Sequence, residues 1–268
     1  MNLFLENYGA DYFLQNVRSI FSADDLTIAN FEGTLTDSDE REDKTFAFKA
    51  PASYASILSG SSVEAVNTAN NHSHDYGDQG FDDTLAALDD AGIVHFGYDE
   101  TAVMDIKGIK VGMVGIYELY DHLDREQQLK DNIAKVQADG AQLIVVIFHW
   151  GNETETVPDS NQTTLGRMAI DLGADLVCGH HPHVLQGIET YKGKNIGYII
   201  IFYSISINSK GLLVDHGIHI ARGTTFTAEY NNRNTSTSSS ESDISSENSS
   251  DTDSSEDDIS DNNLIDMN

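Results

Sequence analysis

The chain alternates short apolar segments with amphipathic segments of about twelve residues, and this alternation restricts the fold more than any other feature. The stretch "AQLIVVIFHWG" (141–151) is a continuous apolar run, which is typical of a strand buried on both faces. The segments 80–92, 125–140 and 158–174 instead place apolar residues at helical spacing. Strands that alternate with helices predict a layered α/β fold.

Two of the apolar stretches contain turn signals of their own. Residues 102–117 read as two strands joined by Lys107-Gly108, and a second hairpin is predicted around residues 192–195. Hairpins join antiparallel strands, so the sheets are expected to be mixed rather than purely parallel.

Composition divides the 268 residues into two parts. Residues 1–230 have the composition of one globular domain, whereas 231–268 consist almost entirely of Ser, Asp, Glu, Asn and Thr and are predicted to be disordered. The net charge is −29; ten acidic residues and one Arg in 231–268 account for −9, which leaves −20 for the domain. A domain this acidic does not attract a phosphate backbone, so nucleic acid is excluded as a partner.

Targeting and redox signals are few. The single cysteine, Cys178, rules out a disulfide within the chain. The opening "MNLFLENYGADYFLQ" has no basic region before its apolar patch, so no signal peptide is expected. No run of 18 apolar residues occurs, and no membrane span is predicted.

Polar residues that can bind metals recur where the predicted strands end. In α/β sheets the loops at the carboxyl ends of strands line the ligand crevice, so these side chains should lie close together. Carboxylate, carboxamide and imidazole groups suit divalent Zn²⁺, Mn²⁺ or Fe²⁺. The candidates in chain order are Glu32, Asn71, His72, His149, His180, His181 and His183.

Each candidate taken alone has a simpler interpretation. Glu32 can be a solvated or capping carboxylate, "NNHSHDYG" can be a polar turn, and His149 can be a core histidine beside Trp150. The stretch "GHHPH" (179–183) is the stronger signal, because the proline restricts the backbone between two histidines. The order of the four groups along the chain favours one shared site.

That order is also where a resemblance to a known family lies. The stretches "DLTIANFEGTLT", "VNTANNHSHDYGDQGFDDTL", "FHWGNE" and "LGADLVCGHHPHVLQGIETYKGKNI" resemble the poly-γ-glutamate capsule biosynthesis family (CapA proteins), which is related to calcineurin-like metallophosphoesterases. The resemblance covers roughly residues 8–205. It implies an α/β/β/α sandwich with mixed sheets and one or two divalent ions, with Mn, Zn and Fe as the candidates.

The resemblance also implies roles for single residues. Asp75 would orient His72 or His74 by accepting a hydrogen bond, without binding the metal itself. The other roles would be Glu32 as the metal-bridging carboxylate, Asn71 and His149 as ligands, His72 as the general acid or transition-state donor, His181 and His183 as the His-x-His ligands, and His180 as an extra or alternative ligand.

The sequence departs from the family pattern at both ends of the resemblance. The early Gly-Asp strand that supplies a first ligand is not found, and "FYSISINSKG" stands where the family has Tyr-Ser-Leu-Gly-Asn-Phe. The expectation is an incomplete domain, either a fragment or an interrupted copy.

Three functions are compatible with these residues. The resemblance favours an accessory protein for a polyanionic γ-linked glutamate polymer, working as a subunit of a membrane synthase complex. An active metal-dependent hydrolase of phosphoesters or amides is the alternative, and a degenerate inactive copy is the third. The family usually is membrane-anchored and lies outside the cytoplasmic membrane, so localisation rests on the resemblance.

Overall fold

The computed structural model describes residues 7–199, 202–207, 213–220 and 224–228. The expected disordered segment 231–268 and the end of the expected domain lie outside the described residues. Within the described part, no helix combines the length and the apolar character that crossing a bilayer requires.

Strands and helices alternate along the chain, as the sequence predicts. The strands are β1 (Leu26–Asn30), β2 (Thr34–Leu35), β3 (Lys49–Ala50), β4 (Ala65–Asn67), β5 (Val94–Phe96), β6 (Thr101–Ile106), β7 (Ile109–Tyr117), β8 (Leu143–His149), β9 (Leu176–His180), β10 (Ile188–Tyr191), β11 (Lys194–Gly197), β12 (Phe202–Ile207), β13 (Leu213–Ile220) and β14 (Thr224–Ala228). The α-helices are α1 (Arg18–Phe21), α2 (Ala55–Ser59), α3 (Gly77–Asp90), α4 (Glu126–Ala138) and α5 (Ser160–Asp171), and short 3₁₀ turns span Ala10–Tyr12, Ala52–Tyr54 and His122–Arg125.

The longer strands form two six-stranded sheets. The first has the order β14-β13-β12-β1-β4-β5 and the second the order β10-β11-β9-β8-β7-β6, while β2 and β3 pair separately. In the first sheet β1, β4 and β5 are parallel and β12 is antiparallel to β1. In the second, β7, β8, β9 and β11 are parallel and the edge strands β6 and β10 are antiparallel to their neighbours. Both sheets are therefore mixed, as predicted.

The antiparallel edge strands of the second sheet come from the two predicted hairpins. Lys107 and Gly108 join β6 to β7 with φ angles of 54° and 84°, and Lys192 and Gly193 join β10 to β11 with 51° and 78°. Positive φ at both central positions is the geometry that matches the twist of two antiparallel strands.

Helices cover the outer faces of the two sheets, which face each other across a shared core. Side chains of β1, β4 and β5 pack there against those of β7, β8 and β9. Helices α4 and α5 bury Leu129, Ile133 and Leu165 on the outer face of the second sheet. Helices α2 and α3 cover the first sheet, where Leu88 packs against Val66. The fold is the predicted α/β/β/α sandwich.

Candidate metal centre

The rows of side chains that fill the space between the sheets end in polar residues. Successive side chains of a strand point to opposite faces, so every second residue faces the other sheet. These rows run Leu26-Ile28-Asn30 in β1, Ala65-Asn67 in β4, Val145-Ile147-His149 in β8 and Leu176-Cys178-His180 in β9. Asn30 pairs in register with Asn67, and His149 with His180. The apolar core therefore becomes a polar pocket at the carboxyl ends of four strands.

His149 lies at the centre of this pocket. Its side chain has no exposed surface. Its Nε2 lies 2.9 Å from Oδ1 of Asn71, and its Nδ1 lies 3.6 Å from Oε1 of Glu32. Three predicted ligands from three strand ends thus converge within contact distance.

Asparagines hold the first-sheet side of the pocket in place. Asn67 donates to Oδ1 of Asn30 at 2.9 Å, and Asn30 donates to Oε1 of Glu32 at 2.7 Å. A Cβ at Gly115 would lie 2.1 Å from Oδ1 of Asn67, so the glycine in β7 makes the space for this amide. These two asparagines are not among the candidates predicted from the sequence, although the two-residue period of β1 and β4 places both on the core-facing row.

His72 and Asp75 form a pair beside the pocket. Nδ1 of His72 lies 2.9 Å from Oδ2 of Asp75, whose side chain is completely buried. His74, the other predicted partner of Asp75, lies 3.8 Å from Asp78 instead. The position of the Asp75 carboxylate beside His72 suits an orienting role for Asp75.

A short segment before β3 fixes that pair. Lys44 contacts the Asp75 carboxylate and donates to the backbone carbonyl of Asn71 at 2.7 Å. The backbone N–H of Phe48 also donates to Asp75, and the Phe48 ring lies 4.5 Å from the His72 ring between centroids. Neither Lys44 nor Phe48 was predicted from the sequence, because the segment around them has no periodic pattern.

The second-sheet side of the pocket carries the predicted His-x-His pair. His181 and His183 have φ angles of 101° and 58°, a backbone region that side chains rarely adopt. The His181 ring lies 4.9 Å from that of His149 and 5.6 Å from that of His183, between centroids. Strained backbone of this kind is concentrated at functional sites.

A buried carboxylate supports the loop that follows His149. Glu118, at the end of β7, accepts hydrogen bonds from the backbone N–H of Gly151 at 3.3 Å and from Nδ1 of His122 at 2.8 Å. The backbone N–H of Glu118 donates in turn to the carbonyl of His149 at 2.9 Å. No role was predicted for Glu118, because nothing in the sequence around it distinguishes it from the many other acidic residues.

Burial keeps the central imidazoles in the form that binds metals. Burial lowers the pKa of His149 well below its ordinary value, and the neighbouring His181 and His180 lower it further. Burial also lowers the pKa of His180 to about 3 and, together with His183, that of His181 to about 4. Burial raises the pKa of Glu32, against the effect of His183 and His72. Neutral imidazole is the state in which histidine donates a lone pair to a metal.

The donor set suits a divalent ion. Nδ1 of His181 is buried and has no hydrogen-bond partner among the described residues. A buried polar atom without a partner costs free energy, which a bound cation would offset. The surrounding oxygen and nitrogen donors are those that Zn²⁺, Mn²⁺ and Fe²⁺ accept.

Comparisons with known proteins identify a matching family model and relatives of this chain. Residues 2–206 match the model of the family described as "Bacterial capsule synthesis protein PGA_cap". The "PGA biosynthesis protein CapA" of Bacillus subtilis (strain 168) is 31% identical over 75% of this chain and 57% of its own length. The "Capsule biosynthesis protein CapA" of Bacillus anthracis is 29% identical over 75% of this chain and 54% of its own length.

A third relative is more distant. The "Probable polyglutamine synthesis accessory protein Rv0574c" of Mycobacterium tuberculosis (strain ATCC 25618 / H37Rv) is 29% identical over 66% of this chain and 54% of its own length. The chain thus spans a little over half the length of the curated relatives that it matches. Since the family model covers most of the described residues, the chain belongs to the bacterial capsule synthesis PGA_cap family.

Proposed function

We propose that this chain is an accessory protein of poly-γ-glutamate capsule synthesis and carries a divalent metal centre. The names of the relatives support the first part, since they describe a PGA biosynthesis protein, a capsule biosynthesis protein and a probable polyglutamine synthesis accessory protein. The observation that carries the second part is the convergence of Glu32, Asn71 and His149 from three strand ends. As an accessory protein the chain would work with a membrane synthase complex.

The proposed ligands divide between the two sheets. One or two ions of Mn, Zn or Fe would be held by Glu32, Asn71, His149, His181 and His183, with His180 as an extra or alternative ligand. A divalent ion supplies Lewis-acid polarisation of a phosphoryl or carbonyl oxygen. The carboxylate and amide would come from the first sheet and the imidazoles from the second, so the centre would also join the two sheets.

A metal-dependent hydrolase is the second candidate, and the contact between His72 and Asp75 favours it. With the Nδ1–H of His72 donated to the Asp75 carboxylate, Nε2 becomes the nitrogen that exchanges a proton with a substrate. A histidine held in this way can protonate a leaving group, which is general acid catalysis. Phosphoesters and amides are the substrate classes that this chemistry covers.

The negative charge of the chain disfavours direct binding of an anionic polymer. The chain carries a net charge of −29, and like charges repel, so direct attraction to polyglutamate is unfavourable. Bound divalent cations offset such repulsion by lying between carboxylates. Binding of the polymer would therefore depend on bound metal ions, as would any hydrolytic activity.

Two measurements test the proposal. Elemental analysis after dialysis determines the metal content, and a generic phosphodiester with added Mn²⁺ determines turnover. Stoichiometric metal without turnover favours the accessory role, and turnover that is lost in His72→Ala and His149→Ala favours the hydrolase. Protein that binds no metal contradicts both and indicates a degenerate copy.

The accessory role has its own assay in a cell that makes the polymer. A strain whose own gene for a relative of this chain has been deleted would express either the chain or its His149→Ala variant. The amount of surface polymer would then be measured. Restoration by the chain alone is expected. Failure of the chain to restore any polymer contradicts the accessory role, and equal restoration by both contradicts its metal dependence.

A further inference from the structure

Glu153 lies beside the two outer histidines, although it follows His149 by only four residues in sequence. One carboxylate oxygen of Glu153 and one ring nitrogen each of His181 and His183 all lie within 4.8 Å of one another. We infer that Glu153 is a metal ligand, which completes with His181 and His183 an outer cation position next to the ligands around His149. The inference rests on the proposed metal centre and adds to it a ligand and a defined position.

Backbone hydrogen bonds join the Glu153 loop to the histidine loop. The N–H of Thr154 donates to the carbonyl of Pro182 at 2.8 Å, and Pro182 lies between the two histidines. Thr154 has a φ of 65°, so the loop adopts a rarely populated conformation in order to make this contact. This backbone hydrogen bond therefore holds Glu153 near the two imidazoles.

A second connection lies one residue further along the loop. Nε2 of Gln186 donates to the carbonyl of Glu155 at 2.9 Å, and Oε1 of Gln186 accepts from Gln162 at 2.8 Å. Gln162 belongs to the capping box at the start of α5 and is buried. The two loops are thus fixed to each other and to a helix.

The Glu153 carboxylate has no competing contact in the described part of the chain, where neither a hydrogen bond nor an ion pair to it occurs. Glu118 is the contrasting case, since the backbone of Gly151 and the ring of His122 both contact its carboxylate. An uncommitted carboxylate beside two imidazoles is a donor set that divalent zinc, manganese and iron accept.

The separation of the donors is close to what one ion requires. Metal bonds to imidazole nitrogen and carboxylate oxygen are about 2.0–2.2 Å long, so the ligands of one tetrahedral ion lie about 3.3–3.6 Å apart. Donor atoms within 4.8 Å of one another therefore need to approach by at most about 1.5 Å. Glu153 and His183 are exposed and have room to make that movement.

Exposure distinguishes the two positions. His149 is fully buried, whereas two of the three outer ligands face solvent. An ion at the outer position is consequently expected to exchange with solution faster than an ion held by His149, Asn71 and Glu32.

The test is metal binding by the full chain with Glu153→Gln and a matched control, Glu155→Gln. Both residues are exposed and both changes remove one negative charge, but only Glu153 belongs to the cluster. Each protein is equilibrated with Mn²⁺ and separately with Zn²⁺. Bound ions per chain are measured by elemental analysis, and affinities by competition with a chelator.

We expect Glu155→Gln to match the unaltered chain. Glu153→Gln should lose one ion per chain or bind its weakest ion at least about tenfold more weakly, as loss of even indirect metal contacts does. Glu153→His, which restores a ligand without the charge, should recover most of the affinity. Equal ion number and affinity in Glu153→Gln and Glu155→Gln would overturn the inference alone, whereas an unaltered chain that binds no ion would overturn the proposed metal centre with it.

Discussion

The Nε2 atom of His149 lies 2.9 Å from Oδ1 of Asn71, although Asn71 follows β4 of the first sheet and His149 ends β8 of the second. In the proposed metal centre both residues would be ligands of the same ion. Replacing Asn71 by Ala removes one donor without disturbing the buried row of β8, so we expect the affinity for Mn²⁺ or Zn²⁺ to fall at least about tenfold. Chelator competition measures this, with His95→Ala in β5, outside the candidate ligands, as the control. Unchanged affinity in Asn71→Ala would remove this residue from the ligand set.

His72 and Asp75 give a prediction for the hydrolase candidate. His72→Gln should lower phosphodiester turnover by about 10²–10⁴, the range of a lost general acid, with metal content unchanged. His74→Gln is the matched control, because His74 lies in the same loop but its ring stacks on Phe81. Turnover that falls equally in both variants would indicate a general effect of the loop instead of proton donation by His72.

Gly179 gives a prediction about stability. A Cβ at this position in β9 would lie 2.1 Å from the carbonyl oxygen of Tyr198 and 2.2 Å from Nε1 of Trp150, and neither can move easily. Gly179→Ala should therefore lower the free energy of unfolding by about 1–3 kcal/mol. Gly187→Ala is the control, since its Cβ would meet no atom within 4 Å. Urea unfolding compares the two, and equal stability of the variants would contradict the packing around Trp150.

The buried histidines predict a pH dependence of stability in the absence of metal. The folded-state pKa values of His149, His180 and His181 lie below the ordinary 6.5, so the unfolded state binds more protons between about pH 4 and 6.5. The free energy of unfolding should be highest above pH 6.5 and should fall as the pH falls through this window. The raised pKa values of Glu32 and Glu64 have the opposite effect just above pH 4.5, but from two groups against three.

Urea unfolding in the presence of a chelator, at several pH values from 5 to 7.5, checks this dependence. His180→Asn should flatten the slope, because one buried histidine no longer takes up a proton on unfolding. His95→Asn changes a partly exposed histidine beside Asp89 and should leave the slope as it is. A free energy of unfolding that does not change between pH 7.5 and 5 would contradict the burial of these rings.

The elements themselves were predictable from sequence because their signals are local. The apolar run of β8, the helical spacing of α4 and the Lys-Gly turns each depend on a few neighbouring residues, and all three occur as predicted. The buried face of α3 is less well predicted. Phe81 and Leu85 are half-buried while Thr84 and Ala87 are buried, because Phe81 turns toward His74.

The candidate site was predictable only in part. The structure brings His149, Asn71 and Glu32 together because each lies at or just beyond the carboxyl end of a strand, and strand ends can be read from the sequence. The role of Lys44 could not be read in the same way, since it depends on how an irregular segment crosses another loop. Glu153 illustrates the same limit, because the hydrogen bond between Thr154 and Pro182 that positions it has no local signal.

The shared row of core and ligand residues in β8 has a consequence for how this chain can vary. Val145, Ile147 and His149 point the same way, so inserting or deleting one residue at the start of the strand, before Val145, would turn all three outward together. A change that moves the candidate ligand His149 off this face also moves core residues off it, so the site and the folded core depend on the same alternation. Insertions and deletions are therefore tolerated better in the loops than in the strands.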